Sequence, residues 1–345
     1  MNRLIKVLIV DDSAFVRKVV REILSRSPYI EVVDIARDGE EALELVAQTN
    51  PDVVTCDLVM PRMDGVTFVR EQMARKPLPI LVLTAMPEDG KKALEAMEAG
   101  AIDVMQKPTA LANDQLFGIR DELIEKVKAL AETPSIHFQP AARAPAVIPT
   151  AAVRRSKIKL VVMGVSTGGP QALRYIIPQF PADFPVPIAI VLHMPVGYTQ
   201  MFAERLNEIS AVEVVEAKSG IDLLPGRVVI AQGGKHLVLQ QCGENRFKGE
   251  LAVVPADSPH RPSVDVLFQS AAQSVGEGVL AVVMTGMGED GKQGAAWIKA
   301  QGGVVVTESE QSCVIYGMPR AVVEAGLSDA EVPLRKMAQK IMELL

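Results

Sequence analysis

Two sets of residues have the types and spacing for chemistry, one in each half of the chain. In the first half, Asp11 and Asp12 follow the first apolar run, Asp57 ends the third, Thr84 ends the fourth and Lys107 ends the fifth. If those runs are strands of one parallel sheet, with the first and third side by side, the three carboxylates meet at its carboxyl edge. Three carboxylates in one place repel each other unless a cation sits among them, and an all-oxygen set with an open side suits Mg²⁺. A carboxylate held there can attack a phosphoryl group and become an aspartyl phosphate. Thr84 would bring a hydroxyl to the same edge, and Lys107 an ammonium that neutralises phosphoryl oxygens. Pro108 favours a fixed turn after Lys107, of a kind that proline can hold in cis.

In the second half, Gly164-Val165-Ser166-Thr167-Gly168 matches G-x-S-x-G. It lies between an apolar strand pattern and a helical one starting at Pro170, the setting in which a sharp turn exposes a serine oxygen for nucleophilic attack. The rival reading is a glycine-rich anion cradle at the helix start. No Walker lysine follows, and no acidic ribose partner stands about 20 residues on, so nucleotide binding has little support. A nucleophilic serine needs a base, and the chain has 4 histidines. His193 ends an apolar strand on the same expected edge as Ser166, with His260 as the runner-up; His137 and His236 lie in a linker and at a hairpin strand. The carboxylate that orients the base is expected to be Asp290, with Glu289 and Asp265 as competitors. Backbone amides of Thr167, Gly168 and Met287 are candidate oxyanion donors, because both glycine-rich turns point N–H groups outward at helix starts.

The elements that must position these groups alternate regularly. Apolar strand patterns at 7–10, 32–36, 53–57, 80–85 and 101–107 are separated by helical ones, such as Val16, Val19, Val20, Ile23 and Leu24 on one helical face. Five β–α units imply a doubly wound five-stranded parallel domain over residues 1–131. Residues 133–157 then carry 4 prolines and 6 alanines with almost no periodicity, which predicts a linker over 132–157. From residue 158 to 345 the alternation resumes, with strand patterns at 159–165, 188–192, 279–285 and 303–307. Shorter runs at 227–231, 236–240 and 251–254 are separated by turn-rich segments. This predicts a second doubly wound α/β domain, mainly parallel, with an antiparallel hairpin insert.

Bulk composition is that of an ordinary globular chain: 345 residues, 48% hydrophobic, 23% charged, net charge −6. The acidic balance and the lack of a helix-turn-helix pattern argue against a DNA-binding regulator. The 3 cysteines are scattered, without metal or disulfide spacing. No signal peptide or membrane span is read, and a cytoplasmic location without direct membrane insertion is expected.

The segments VLIVDDSAFVR, PDVVTCDLVMPRMDG, ILVLTA and DVMQKP resemble response-regulator receiver domains. The resemblance implies that Asp57 accepts the phosphoryl group, that Asp11 and Asp12 join it in binding Mg²⁺, and that Thr84 and Lys107 respond to phosphorylation. GVSTGGP, LHMP, SPHRPSVD and MTGMGEDG, in that order, resemble the catalytic domain of chemotaxis protein-glutamate methylesterases, the CheB family. The order Ser, His, Asp separates this chain from ordinary α/β-hydrolases, which run Ser, Asp, His. The second resemblance implies a Ser166–His193–Asp290 triad supported by Thr167 and Met287, with His260 and Arg261 helping to bind substrate. It also implies an activity: demethylation of glutamate esters on membrane chemoreceptors, often with deamidation of glutamines there. The phosphodonor would be the chemotaxis histidine kinase. No cofactor is expected in the esterase site.

Overall fold

The computed structural model describes residues 3–84, 90–108, 115–133, 147–148, 157–256 and 258–345. The chain divides into two compact units, Met1–Pro140 and Ala141–Leu345. His137 and most of the expected linker lie outside the described residues.

The first unit runs β1 (Ile5–Val10), α1 (Ala14–Leu24), β2 (Ile30–Ala36), α2 (Gly39–Thr49), β3 (Val53–Asp57), α3 (Gly65–Arg75), β4 (Ile80–Thr84), α4 (Gly90–Ala99), β5 (Asp103–Gln106) and α5 (Gln115–Glu132). Its 5 strands are ordered β2-β1-β3-β4-β5, and every pairing is parallel. The chain reverses its winding direction between β1 and β3, where Val10 pairs with Cys56. Asp11 and Asp57 are the next residues along each strand, so this switch point brings the acids together. β3 and β4 are buried along their whole length. Helices on both faces cover such strands, which therefore read as unbroken apolar runs rather than alternating ones.

The second unit continues with β6 (Leu160–Val165), α6 (Gly169–Ile176), β7 (Ile188–Leu192), α7 (Tyr198–Glu208), β8 (Glu213–Glu216), β9 (Ile221–Leu223), β10 (Arg227–Ile230), β11 (His236–Gly243), β12 (Arg246–Ala252), α8 (Val264–Val275), β13 (Val279–Val283), α9 (Lys292–Ala300), β14 (Val304–Glu308), α10 (Met318–Glu324), β15 (Ala330–Val332) and α11 (Leu334–Leu344). A 7-stranded parallel sheet has the order β15-β14-β13-β6-β7-β10-β8. A 3-stranded antiparallel sheet, β11-β12-β9, forms the insert. The hairpin expectation therefore needs one correction. The run at 227–231 is not part of the insert: β10 lies parallel to both β7 and β8 inside the main sheet. The third strand of the insert is β9 instead.

The second sheet has its own switch point. From β6 the chain builds outward through β7, then returns to place β13 on the other side of β6. Apolar side chains from β6, β7 and β13 pack with α8 and α9 in one continuous core that includes Val162, Val191, Val264, Phe268 and Val283. The crevice at the carboxyl ends of β13, β6 and β7 is thus framed by rigid, fully buried strands. Among the described residues, no helix is long and apolar enough to cross a membrane.

Candidate active site and phosphoacceptor site

In the first unit the expected residues converge. Lys107 Nζ lies 2.9 Å from Asp11 Oδ2 and 2.8 Å from Asp57 Oδ2, with all three side chains buried. Asp57 Oδ1 accepts the Leu58 N–H at 2.7 Å, leaving its other oxygen toward Lys107. Burial pushes the Asp57 carboxyl above its ordinary value, against the pull of Lys107. Burial draws the Lys107 ammonium down, but the two carboxylates outweigh it and its pKa is raised. Each of Asp11, Asp12 and Asp57 offers an oxygen within 4.8 Å of the others, and Asp12 is exposed at the open side. Carboxylate oxygens gathered around an open face are the donor set that fits Mg²⁺. The Thr84 carbonyl accepts the Lys107 N–H at 2.7 Å, tying the two strand ends together. The cis peptide bonds among the described residues are Val254–Pro255 and Arg261–Pro262, so the turn at Lys107–Pro108 is trans.

In the second unit, Val165 and Leu192 are register partners on β6 and β7, and Ser166 and His193 follow them directly. The His193 N–H bonds Val165 O at 3.1 Å, which locks the two strand ends side by side. Gly168 takes φ +80°, the left-handed conformation that lets β6 turn sharply into α6. Gly286 is needed for a different reason: a Cβ there would lie 2.7 Å from Ser166 Cβ and 2.5 Å from Met318 Sδ. The loop that carries Met287 therefore passes directly against the serine.

His193 Nε2 is 2.9 Å from Asp290 Oδ2. With Nε2–H donating to that carboxylate, Nδ1 holds the lone pair, and it has no hydrogen-bond partner. Asp290 also accepts from Ser263 Oγ at 3.0 Å, Val264 N at 2.8 Å and Asp265 N at 2.9 Å. Burial raises its pKa, but His193 and the N–H groups at the start of α8 outweigh this and hold the carboxyl well below the usual range. Asp265 shows the opposite behaviour. Burial and the neighbouring Asp290 charge push it up to about 6, while it caps the start of α9 by accepting from Gly291 N and Gly294 N. The two adjacent carboxyls are thus pushed in opposite directions, Asp290 toward the ionised form and Asp265 away from it.

Glu289 is exposed and pairs with Lys292, and Asp265 serves as a helix cap. His260 does reach the site, its ring stacked on that of His193 at 4.3 Å and 22°. Its neighbour Arg261 bonds Ala256 O through its guanidinium. Sequence reasoning missed three supporting groups. Ser263 bonds Asp290, and buried His236 accepts the Ser263 N–H at Nδ1, joining the hairpin insert to the site. Glu308 lies beneath the serine turn and is wholly buried. Ser263 lies within SPHRPSVD as a serine at a helix start, a capping signal that could have marked it, whereas nothing local in the sequence marks Glu308.

Fold and site together define a receiver domain joined to an α/β domain that carries serine, histidine and aspartate at its switch point. Residues 161–341 match the CheB methylesterase family, and residues 7–116 match the response regulator receiver domain. Among curated relatives, "Protein-glutamate methylesterase/protein-glutamine glutaminase 5" of Myxococcus xanthus is 47% identical over 96% of this chain and 96% of its own. A protein named "Protein-glutamate methylesterase/protein-glutamine glutaminase 1" from Oleidesulfovibrio alaskensis is 40% identical over 98% of this chain and 99% of its own. The crystal structure of the Thermotoga maritima CheB methylesterase catalytic domain superposes with TM-score 0.53 at 41% identity, covering 55% of this chain and 99% of that one. The chain belongs to the CheB methylesterase family.

Proposed function

We infer that this chain is a phosphorylation-activated protein-glutamate methylesterase of chemotaxis adaptation that also deamidates receptor glutamines. The observation that carries this reading is the Asp290 carboxyl bonded to His193 Nε2 at 2.9 Å, with Ser166 and His193 directly following register partners on adjacent strands. Ser166 Oγ passes its proton to His193 and attacks the ester carbonyl of a methylated glutamate. Asp290 steadies the resulting imidazolium. Amides of Thr167, Gly168 and Met287 stabilise the oxyanion. Methanol leaves with the His193 proton, and water then releases glutamate by the reverse sequence. With a glutamine substrate the same steps expel ammonia. His260 and Arg261 line the substrate side.

In residues 1–131, Asp57 attacks the phosphorus of a donor phosphoryl group, supplied in the cell by a chemotaxis histidine kinase. Asp11, Asp12 and Asp57 would hold Mg²⁺, which supplies charge neutralisation when bound. Lys107 and Thr84 then contact the phosphoryl oxygens, and phosphorylation of residues 1–131 releases the esterase of residues 158–345, to which 132–157 tethers them. The substrates are cytoplasmic segments of methyl-accepting chemoreceptors; the enzyme itself is cytoplasmic, does not insert into the membrane and binds no nucleic acid. The relatives' names support both the ester and the amide reaction.

The test is methanol release from methyl-esterified receptor membranes, measured with and without acetyl phosphate. Wild type is expected to release methanol and to respond to the donor. Asp57→Asn is expected to keep only the basal rate and to take up no alkali-labile phosphate. Uptake of that phosphate by Asp57→Asn would move the acceptor elsewhere.

A further inference from the structure

We propose that Glu308 is a positioning residue of the active site, holding through Thr285 the turn that carries Ser166. Glu308 ends β14 and is 0% exposed, among the most costly places to put a carboxyl group. Its partners all belong to the wall behind the serine. Oε2 accepts the Thr285 N–H at 2.9 Å, and Oε1 accepts Ser312 Oγ–H at 2.8 Å. Thr285 in turn grips the serine turn from both sides: its carbonyl accepts the Ser166 N–H at 3.0 Å, and its hydroxyl donates to Thr167 O at 2.9 Å. The same hydroxyl accepts the Ile315 N–H at 3.0 Å.

The segment after Glu308 closes the wall. Gly286 N bonds Ile315 O, and both Gly317 N and Met318 N bond Gly286 O. Val314 packs against the place a Gly168 side chain would occupy. Ser312 Oγ also accepts the Leu334 N–H at 2.9 Å, anchoring the segment to the start of α11. Glu308 is thus the one side chain that bonds both to Thr285 and to the 309–317 segment among the contacts described. Burial pushes its carboxyl up to about 7, against the pull of donors on Thr285, Ser312 and Cys313. Loss of that acceptor leaves the Thr285 N–H buried without a partner and frees the strand end that sets Ser166.

The proposal rests on Ser166 being the nucleophile, so Ser166→Ala accompanies the test. Rates of the full-length chain, saturated with acetyl phosphate, are measured by methanol release from methyl-esterified receptor membranes and expressed per folded molecule by near-UV circular dichroism. Glu308→Ala is expected to lower kcat about ten- to hundredfold, with KM changed less than about twofold. Labelling by a serine-directed fluorophosphonate should slow in parallel. Glu308→Gln is expected to recover the rate to within about fivefold of wild type. Its amide oxygen still accepts the Thr285 N–H, its NH₂ can donate to Ser312 Oγ, and the Ser312 hydroxyl can turn to Ser309 O at 3.3 Å. A role confined to stability would lower the melting temperature of Glu308→Ala and leave kcat and labelling rate per folded molecule unchanged, which overturns the proposal. Glu308→Gln as slow as Glu308→Ala also overturns it. Should Glu308→Ala not fold, Glu308→Asp carries the test: its carboxylate is one methylene too short to hold the Thr285 N–H in place, so a kcat at least about tenfold down is expected and an unchanged kcat contradicts the proposal. If Ser166→Ala itself remains active, the fault lies with the nucleophile assignment and not with Glu308.

Discussion

Ser166→Ala and His193→Ala are each expected to lower turnover by at least about a thousandfold, and the double variant to be scarcely slower than either. The expectation follows from dependence: a serine with no base at Nδ1, or a base with no serine, forfeits the same proton transfer. Asp290 should behave differently. Its carboxylate accepts from Ser263, Val264 and Asp265 as well as from His193, so Asp290→Asn both removes the charge that steadies the imidazolium and sets an NH₂ against a backbone N–H. If Ser166→Ala keeps more than about a tenth of the wild-type rate, its contribution falls below ~1.4 kcal/mol and the nucleophile assignment fails.

The second large effect concerns control. A fragment of residues 141–345, which matches the second compact unit, should be faster than the unphosphorylated full-length enzyme and indifferent to acetyl phosphate. If the receiver holds the esterase in a restrained state favoured by about 1.4–2.7 kcal/mol, only ~10% to ~1% of molecules are competent, and release gives a ten- to hundredfold gain. A receiver that only stimulates predicts the reverse, a folded fragment no faster than the unphosphorylated parent. Initial rates of both proteins on the same membranes separate the two. The Asp57–Lys107–Asp11 cluster is where a phosphoryl group would act, because a new anion there competes with carboxylates for one ammonium.

Much of this was legible in the sequence because parallel strands buried on both faces announce themselves as short apolar runs, and their carboxyl ends are where chemistry collects. Asp57, Thr84 and His193 are each found at or just beyond such an end. Direction of pairing was not legible. The run at 227–231 reads the same whether its neighbours are parallel or antiparallel, and only the return of the chain beside β7 decides it. β8, with the sequence EVVE, and the three-residue β9 and β15 are too short for a periodic signal. Glu308 was hidden for a different reason. In TESEQS it looks like part of a solvated loop, since carboxylates are rarely buried without a partner. Its partners come from residues 285 and 312, and no local pattern records that the loop folds back beneath the serine. His260 resisted a clear reading because its position depends on the path of the whole segment that stacks it on His193.

Ester hydrolysis by this chain turns on which atom attacks the carbonyl, and one measurement addresses it. The full-length enzyme is titrated with a fluorophosphonate while methanol release from methyl-esterified receptor membranes is followed, and the modified peptide is located by mass spectrometry. The predicted result is a single adduct on Ser166, with methanol release falling in proportion to the labelled fraction and reaching background at one adduct per chain. Undiminished methanol release from protein fully labelled at Ser166, or inhibition with the adduct at another residue, would contradict it.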